Sequence, residues 1–291
     1  MATDKWLDWI VNRRFGGDKK NAEASMAKLN QVRDKVIDSA SIKEGDIVLD
    51  IGAGDGLIGF AALSLVGPNG KVIFSDISQS CVNACKEIYE SMDSPNPAEF
   101  IVISTADLSL IQDKSIDVIV FRSVLIYINE KQECFNEFFR VLKPGGRISF
   151  FEPINIFVKR HQPKNTIYGY DVAPIKELWE KIRAAQPAKE ESADPMMNFD
   201  EDDLFQYTMQ AGFANILMSI SAYSTKEKSN WNWDLVYKSA PNPNALSLEE
   251  IVEKSFSESE KEDFISYMKS KFDGVPATRL FSEAYLNGAK E

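Results

Sequence analysis

Three carboxylates, Asp50, Asp76 and Asp107, stand at or near the ends of short apolar runs, and the first opens the segment Asp50-Ile51-Gly52-Ala53-Gly54-Asp55-Gly56. Glycines at this spacing permit a tight turn and let a ligand approach the backbone closely. A carboxylate accepts several hydrogen bonds, so Asp76, twenty residues past Gly56, suits the two hydroxyls of a ribose. Asp107, in Thr105-Ala106-Asp107-Leu108, suits the exocyclic amine of adenine, with Ala106 or Leu108 packing the ring. A dinucleotide fingerprint, G-x-G-x-x-G, would place its third glycine at position 57, which is Leu57. The pattern here is G-x-G-x-G, which points to a nucleoside rather than a pyrophosphate.

The elements that must carry these residues follow from periodicity. Asp46–Ile51 reads as a buried strand, with a helix from about Gly56 to Val66 stopped by Gly67-Pro68-Asn69-Gly70. Further strands are expected at 71–75, 100–103, 116–121 and 147–151, with helices at 79–92 and 130–142 between them. Strands alternating with helices predict an α/β fold built on a parallel sheet, and each acid then falls at the same carboxyl-end edge. The fourth strand delivers Arg122 and Ser123 to that edge. Helices are expected at 4–15 and 20–39, broken at Gly16-Gly17-Asp18, and again at 174–185 and 200–212. The runs 214–224 and 231–239 read as an antiparallel hairpin, and 247–290 as a helical tail.

The bulk properties narrow the partners. The chain has 291 residues and a net charge of −11. Phosphate-backbone binding needs a basic surface, so nucleic acid and anionic membranes are not expected partners, and a small molecule is. No apolar run approaches the ~20 residues of a membrane span. The N-terminus lacks a secretory pattern, so a cytoplasmic location is expected. Oligomeric state is open, a homodimer being compatible with the sequence. Cys81, Cys85 and Cys134, with one histidine in the chain, His161, do not make a zinc set, and no metal is expected.

Residues 46–152 resemble the class I S-adenosylmethionine-dependent methyltransferases, in particular the broad ubiquinone/menaquinone-type, small-molecule group. The likeness rests on Val48-Leu49-Asp50-Ile51-Gly52-Ala53-Gly54-Asp55-Gly56, Val72-Ile73-Phe74-Ser75-Asp76, Ala106-Asp107-Leu108 and Phe139-Arg140-Val141-Leu142-Lys143-Pro144-Gly145-Gly146-Arg147. It implies a Rossmann-like seven-stranded sheet, mostly parallel with one antiparallel strand, and S-adenosylmethionine as cofactor, with S-adenosylhomocysteine as product. It implies that Asp50, Gly52 and Gly54 lie along the methionine part, with Ala53 and Gly56 in the same loop. Asp76, beside Ile77, would bind the ribose. Asp107 with Ala106 and Leu108 would hold adenine, and Arg122 and Ser123 would flank the methionine end. The organisation expected is an N-terminal helical cap (1–40), a cofactor-binding core (41–153) and an inserted lid (154–199). The core's last helix and strand hairpin (200–240) and a C-terminal helical extension (241–291) follow. One departure is the stretch Arg122-Ser123-Val124-Leu125-Ile126-Tyr127, where many relatives carry Asn and later His.

Methyl transfer from a sulfonium is an in-line displacement, so the protein mainly orients the partners and excludes water. A substrate oxygen or nitrogen can also need a base. Glu152, after the fifth strand, Tyr127 and His161 are the catalytic candidates, with Asp171, Tyr168 and Tyr170 also able to move a proton. Arg14, Glu152, Tyr168 and Tyr170 are the substrate-binding candidates. The competing readings are a regulatory module that binds cofactor without turnover and a nicotinamide oxidoreductase, against which Leu57 stands.

Overall fold

A computed structural model of the chain describes residues 4–17, 19–186, 190–227 and 232–291. Asp18 of the expected helix break, Pro187 of the expected lid and residue 231 of the expected hairpin lie outside them. The elements in order are α1 (Lys5–Asp8), a π-helical turn (Trp9–Arg13), α2 (Lys19–Ala40), β1 (Ile47–Ile51), α3 (Leu57–Val66), β2 (Lys71–Asp76), α4 (Gln79–Ser91), β3 (Ala98–Val102), β4 (Ile116–Arg122), α5 (Lys131–Val141) and β5 (Leu142–Pro153). Then come α6 (Asn155–His161), the short strands β6 (Thr166–Ile167) and β7 (Tyr170–Asp171), α7 (Lys176–Ala185), α8 (Glu201–Gln210), β8 (Ala214–Glu227), α9 (Trp233–Lys238), α10 (Leu248–Ser255), α11 (Glu258–Gly274) and β9 (Ala277–Ala289).

The main sheet has seven strands in the order β3-β2-β1-β4-β5-β9-β8. β1 pairs in parallel with β2 and β4, β2 with β3, and β4 with β5. β9 runs antiparallel to β5, with Phe151 opposite Tyr285 and Glu152 opposite Ala284. The central strands are apolar on both faces because helices cover both, as the near-continuous runs Val48–Ile51 and Val118–Phe121 require. Phe121 stacks on Phe150 at 4.5 Å within this core. The order of strands reverses between β1 and β4, the switch point of such sheets, where ligands bind in a crevice outside the carboxyl ends of the strands.

The chain divides into two compact units. One comprises residues 27–157, 191–221 and 282–291 and holds the sheet's central strands. The other gathers residues 1–26, 158–190 and 222–281, so three stretches distant in sequence share one core. Within it, Trp9 Nε1 donates to the Ala240 carbonyl at 2.9 Å and Arg13 pairs with Glu250 at 2.6 Å. Trp233 stands 5.2 Å from Tyr237 and 5.6 Å from Phe272, ring to ring, among buried aliphatic side chains.

The parallel strands fall where the sequence places them, and two C-terminal expectations are corrected. The segment expected as the second hairpin strand, 231–239, contains helix α9. Trp233, Leu235 and Tyr237 alternate as a strand would, but Trp233, Val236 and Tyr237 also share a helical face, and all four are buried. Asn232 decides between them: its side chain accepts from Leu235 N at 2.7 Å and caps the helix. The segment expected as a helical tail ends instead in the 13-residue strand β9. Ser282, Ala284, Leu286 and Gly288 face inward at every second position. Three of these are small, so the period of two is weak as a hydrophobic signal. The two last strands of the sheet are therefore β8 and β9, with α9, α10 and α11 between them in the chain.

Candidate functional site

The glycine loop is built by its neighbours. Gly52 has φ +60°, and a Cβ on it would sit 2.6 Å from Val124 Cγ2, so glycine is required both by conformation and by the close pass of the loop after β4. Gly56 caps α3 in the left-handed region at φ +81°, and a Cβ there would meet Phe60 at 2.3 Å. The loop is stitched to β2: Ala53 N donates to the Ser75 carbonyl at 2.9 Å and Gly54 N to Asp76 Oδ2 at 2.9 Å. Asp76 Oδ1 accepts from Ser78 N at 2.8 Å, and Ser78 in turn caps α4 by accepting from Cys81 N at 3.0 Å. The Asp76 carboxylate thus fixes the loop with one oxygen and a helix start with the other. Ile77, next in the chain, is 63% exposed, an apolar side chain left uncovered beside the ribose-type acid.

Asp50 is buried and braces α3, its Oδ2 accepting from Gly59 N at 2.9 Å. Burial pushes its carboxyl well above the ordinary range, the Gly59 bond opposes this, and Asp76 and Asp55 add to the rise. Arg122, at the end of β4, is half-buried. Burial pulls its guanidinium down from the usual value, against Asp55, Tyr127, Glu152 and Asp50. Acids thus surround one cation at the crevice mouth, an arrangement that fits a ligand bearing both an ammonium and a carboxylate. Ser123 follows with φ +52°, a strained conformation for serine, and its N–H donates to the Phe151 carbonyl at 2.9 Å.

Glu152 is 0% exposed, and its Oε1 accepts from Val124 N at 2.7 Å and Leu125 N at 2.8 Å. Oε2 is buried without a hydrogen-bond partner. Burial pushes the carboxyl up to about 7, opposed by the backbone donors of residues 124–126 and by Lys131. Glu152 therefore shapes the turn that presses Val124 against Gly52. Tyr127 closes that turn and lies half-buried near Arg122. The Leu108 side chain is wholly within the core. Ala106 is half-buried and Asp107 exposed, with Asp107 Oδ1 accepting from Ser109 N at 3.1 Å.

The structure thus brings Asp50, Gly52, Ala53, Gly54, Gly56, Asp76, Ile77, Ala106, Asp107, Arg122, Ser123, Tyr127 and Glu152 into one unit. Arg14, His161, Tyr168 and Tyr170 belong to the other. There, Arg14 lies 5.3 Å from the Trp9 ring and 5.2 Å from that of Phe15, His161 is exposed at the end of α6, and Tyr168 and Tyr170 pack against Phe272. Sequence reasoning passed over Asp55, the first carboxylate facing Arg122, although it sits inside the quoted motif. It also passed over Ser78, a helix cap legible from a serine opening a helical run. Lys131 gives no such signal. It is buried, its ammonium donating to the carbonyls of Ile128 and Pro195 and to Asn198 Oδ1, and burial pulls it down to about 8.

A glycine loop leaving β1, an acid ending β2 and a crevice at the strand-order reversal define a nucleoside-binding enzyme of the Rossmann-like class. A sequence-family model described as "Methyltransferase domain" matches residues 42–209, more than half of the chain, and the chain belongs to that family. It is a class I methyltransferase, and its cofactor is S-adenosylmethionine. Among curated proteins, an arsenite methyltransferase of Halobacterium salinarum is 33% identical over 115 residues, 40% of this chain and 29% of the relative. The ubiquinone/menaquinone biosynthesis C-methyltransferase UbiE of Cronobacter sakazakii is 28% identical over 188 residues, 62% of this chain and 71% of the relative. The YcgJ protein of Bacillus subtilis shares the fold, with a TM-score of 0.54 at 14% identity over 90% of this chain and 98% of its own. So does BH2331 of Bacillus halodurans, with a TM-score of 0.53 at 14% identity over 89% of this chain and 99% of its own.

Proposed function

We propose that the chain methylates a small organic acceptor at oxygen or nitrogen by in-line displacement. When bound, S-adenosylmethionine supplies an electrophilic methyl group on a sulfonium. The observation that carries the reading is the Asp76 carboxylate, which ends β2 and ties the glycine loop at Gly54. The cofactor contacts proposed are Asp50, Gly52, Ala53, Gly54 and Gly56 along the methionine part, Asp76 and Ile77 at the ribose, Ala106 and Asp107 at adenine, and Arg122 and Ser123 at the methionine end. Arg122 would hold the cofactor's carboxylate, and the surrounding acids its ammonium and sulfonium. Tyr127 is the residue proposed to take a proton from the acceptor.

The three cysteines are buried, and burial pushes the thiols of Cys85 and Cys134 upward, that of Cys134 to about 12. Thiolate capture of a soft acceptor, which the name of one relative would suggest, gains nothing from them. Among the described residues, no helix is long and apolar enough to cross a membrane. That and the charge of −11 support a cytoplasmic enzyme acting on small molecules rather than nucleic acid, alone or as a homodimer.

The test is turnover. Purified protein with S-adenosylmethionine and a panel of quinols, phenols, carboxylates and amines should release S-adenosylhomocysteine with at least one acceptor class. Cofactor binding with no product from any acceptor would favour the regulatory module instead.

A further inference from the structure

The segment between β3 and β4 carries Ala106 and Asp107, and it has no regular secondary structure beyond turns. Its own bonds are few: Asp107 N donates to the Ser104 carbonyl at 3.1 Å and Ile111 N to that of Leu108 at 2.8 Å. Further polar anchorage comes from the last turns of α5. Leu108 N donates to Glu137 Oε2 at 2.8 Å. Arg140 donates to the carbonyl of Leu108 at 2.9 Å, to that of Ile111 at 3.1 Å and to Asp113 Oδ1 at 2.5 Å. Two more of its N–H groups grip Glu137, at 2.7 Å each. Past the loop, Lys114 N and Ser115 N donate to the carbonyls of Arg140 and Val141 at 3.1 and 2.9 Å. One guanidinium therefore grips the loop from Leu108 to Asp113, and its partner carboxylate holds the loop's backbone one residue from Asp107.

We propose that Arg140 and Glu137 are positioning residues for the cofactor's base: the pair sets the height of the Ala106–Asp107 backbone, and with it the discrimination of adenine from other purines. The inference rests on the reading that Asp107 accepts from the adenine amine. It gives a physical task to the Phe139-Arg140-Val141 motif, which touches no part of the glycine loop. Lysine cannot replace the arginine, because a single ammonium lacks the planar fork that spans Leu108, Ile111, Asp113 and Glu137 together. Asp113→Ala, which removes one outer anchor, should have the smaller effect.

Calorimetric titration of the full chain with S-adenosylhomocysteine and with S-inosylhomocysteine, whose exocyclic amine is replaced by oxygen, tests this. The wild type should prefer the adenine ligand by at least ~10-fold, the cost of a mismatched polar contact. Arg140→Lys should weaken S-adenosylhomocysteine binding by roughly 10-fold while bringing the preference to within about 3-fold. Glu137→Gln, which keeps the side chain's shape, should move the preference the same way and stands in should Arg140→Lys fold poorly. Equal weakening of both ligands, or a preference unchanged in both variants, would overturn the proposal, since a purely structural role would leave the ratio intact. A wild type without preference would overturn the Asp107 reading and the clamp with it.

Discussion

Asp76→Ala weakens S-adenosylhomocysteine binding by at least ~100-fold, as measured by calorimetry on the folded variant. The aspartate contributes twice. It offers two charge-assisted hydrogen bonds to a ribose, each about 1.5–3 kcal/mol, so their joint loss alone reaches roughly that factor. It also holds Gly54 N and Ser78 N on separate oxygens, so alanine frees the glycine loop from β2 and releases the entry to α4. Asn is no substitute: its single oxygen serves one of these donors and its amide N–H₂ faces the other. Binding within a few-fold of wild type would show that the ribose lies elsewhere.

The second large effect is at Glu152. Its replacement by alanine leaves Val124 N and Leu125 N without their acceptor in a buried turn, at about 1–3 kcal/mol for each. A stability loss of roughly 2–5 kcal/mol in denaturant melts is expected for Glu152→Ala. Glu152→Gln keeps an acceptor and loses much less. The glutamine variant also isolates the titration. The carboxyl is raised to about 7 in the folded chain from an ordinary value of 4.5, so the folded state binds the proton more tightly than the unfolded state. Between about pH 4.5 and 7, then, this group's contribution to stability falls as pH rises. Measured against Glu152→Gln, in which the group is absent, wild type should gain up to roughly 3 kcal/mol on going from pH 8 to pH 4.5. A difference independent of pH would mean that Glu152 titrates normally and that its burial is relieved.

Much of this architecture was legible because the parallel strands are buried on both faces. Ile47–Ile51 and Ile116–Phe121 are apolar but for Asp50 and Asp117, and Gly45 and Gly52 punctuate the ends of the first. The acids at the carboxyl-end edge could be ranked from spacing, since a strand's end fixes where its next residue goes. Glu152 shows where that logic stops. It was read as following the fifth strand but lies within β5, and its direction depends on Val124 and Leu125, whose N–H groups turn toward it only after the chain folds. Leu108 shows the same limit: a residue beside a ligand loop can point either way, and core packing took this one. The strand β9 was hidden by its small inward residues, Ser282, Ala284 and Gly288, which fit closely against β5 but carry almost no hydrophobic period. Helix α9 was hidden by Trp233 and Tyr237, which satisfy both periods at once.

The glycine loop emerges as one part of a larger clasp. β2 holds it through Asp76, the turn after β4 presses it through Val124, and Glu152 sets that turn. A crystal structure of the chain with S-adenosylhomocysteine tests this most directly. The account predicts both ribose hydroxyls on Asp76, adenine beside Ile77 and Ala106 with its amine on Asp107, and the methionine carboxylate at Arg122. A ligand bound away from the Gly52–Gly56 loop, or one whose ribose does not touch Asp76, would contradict it.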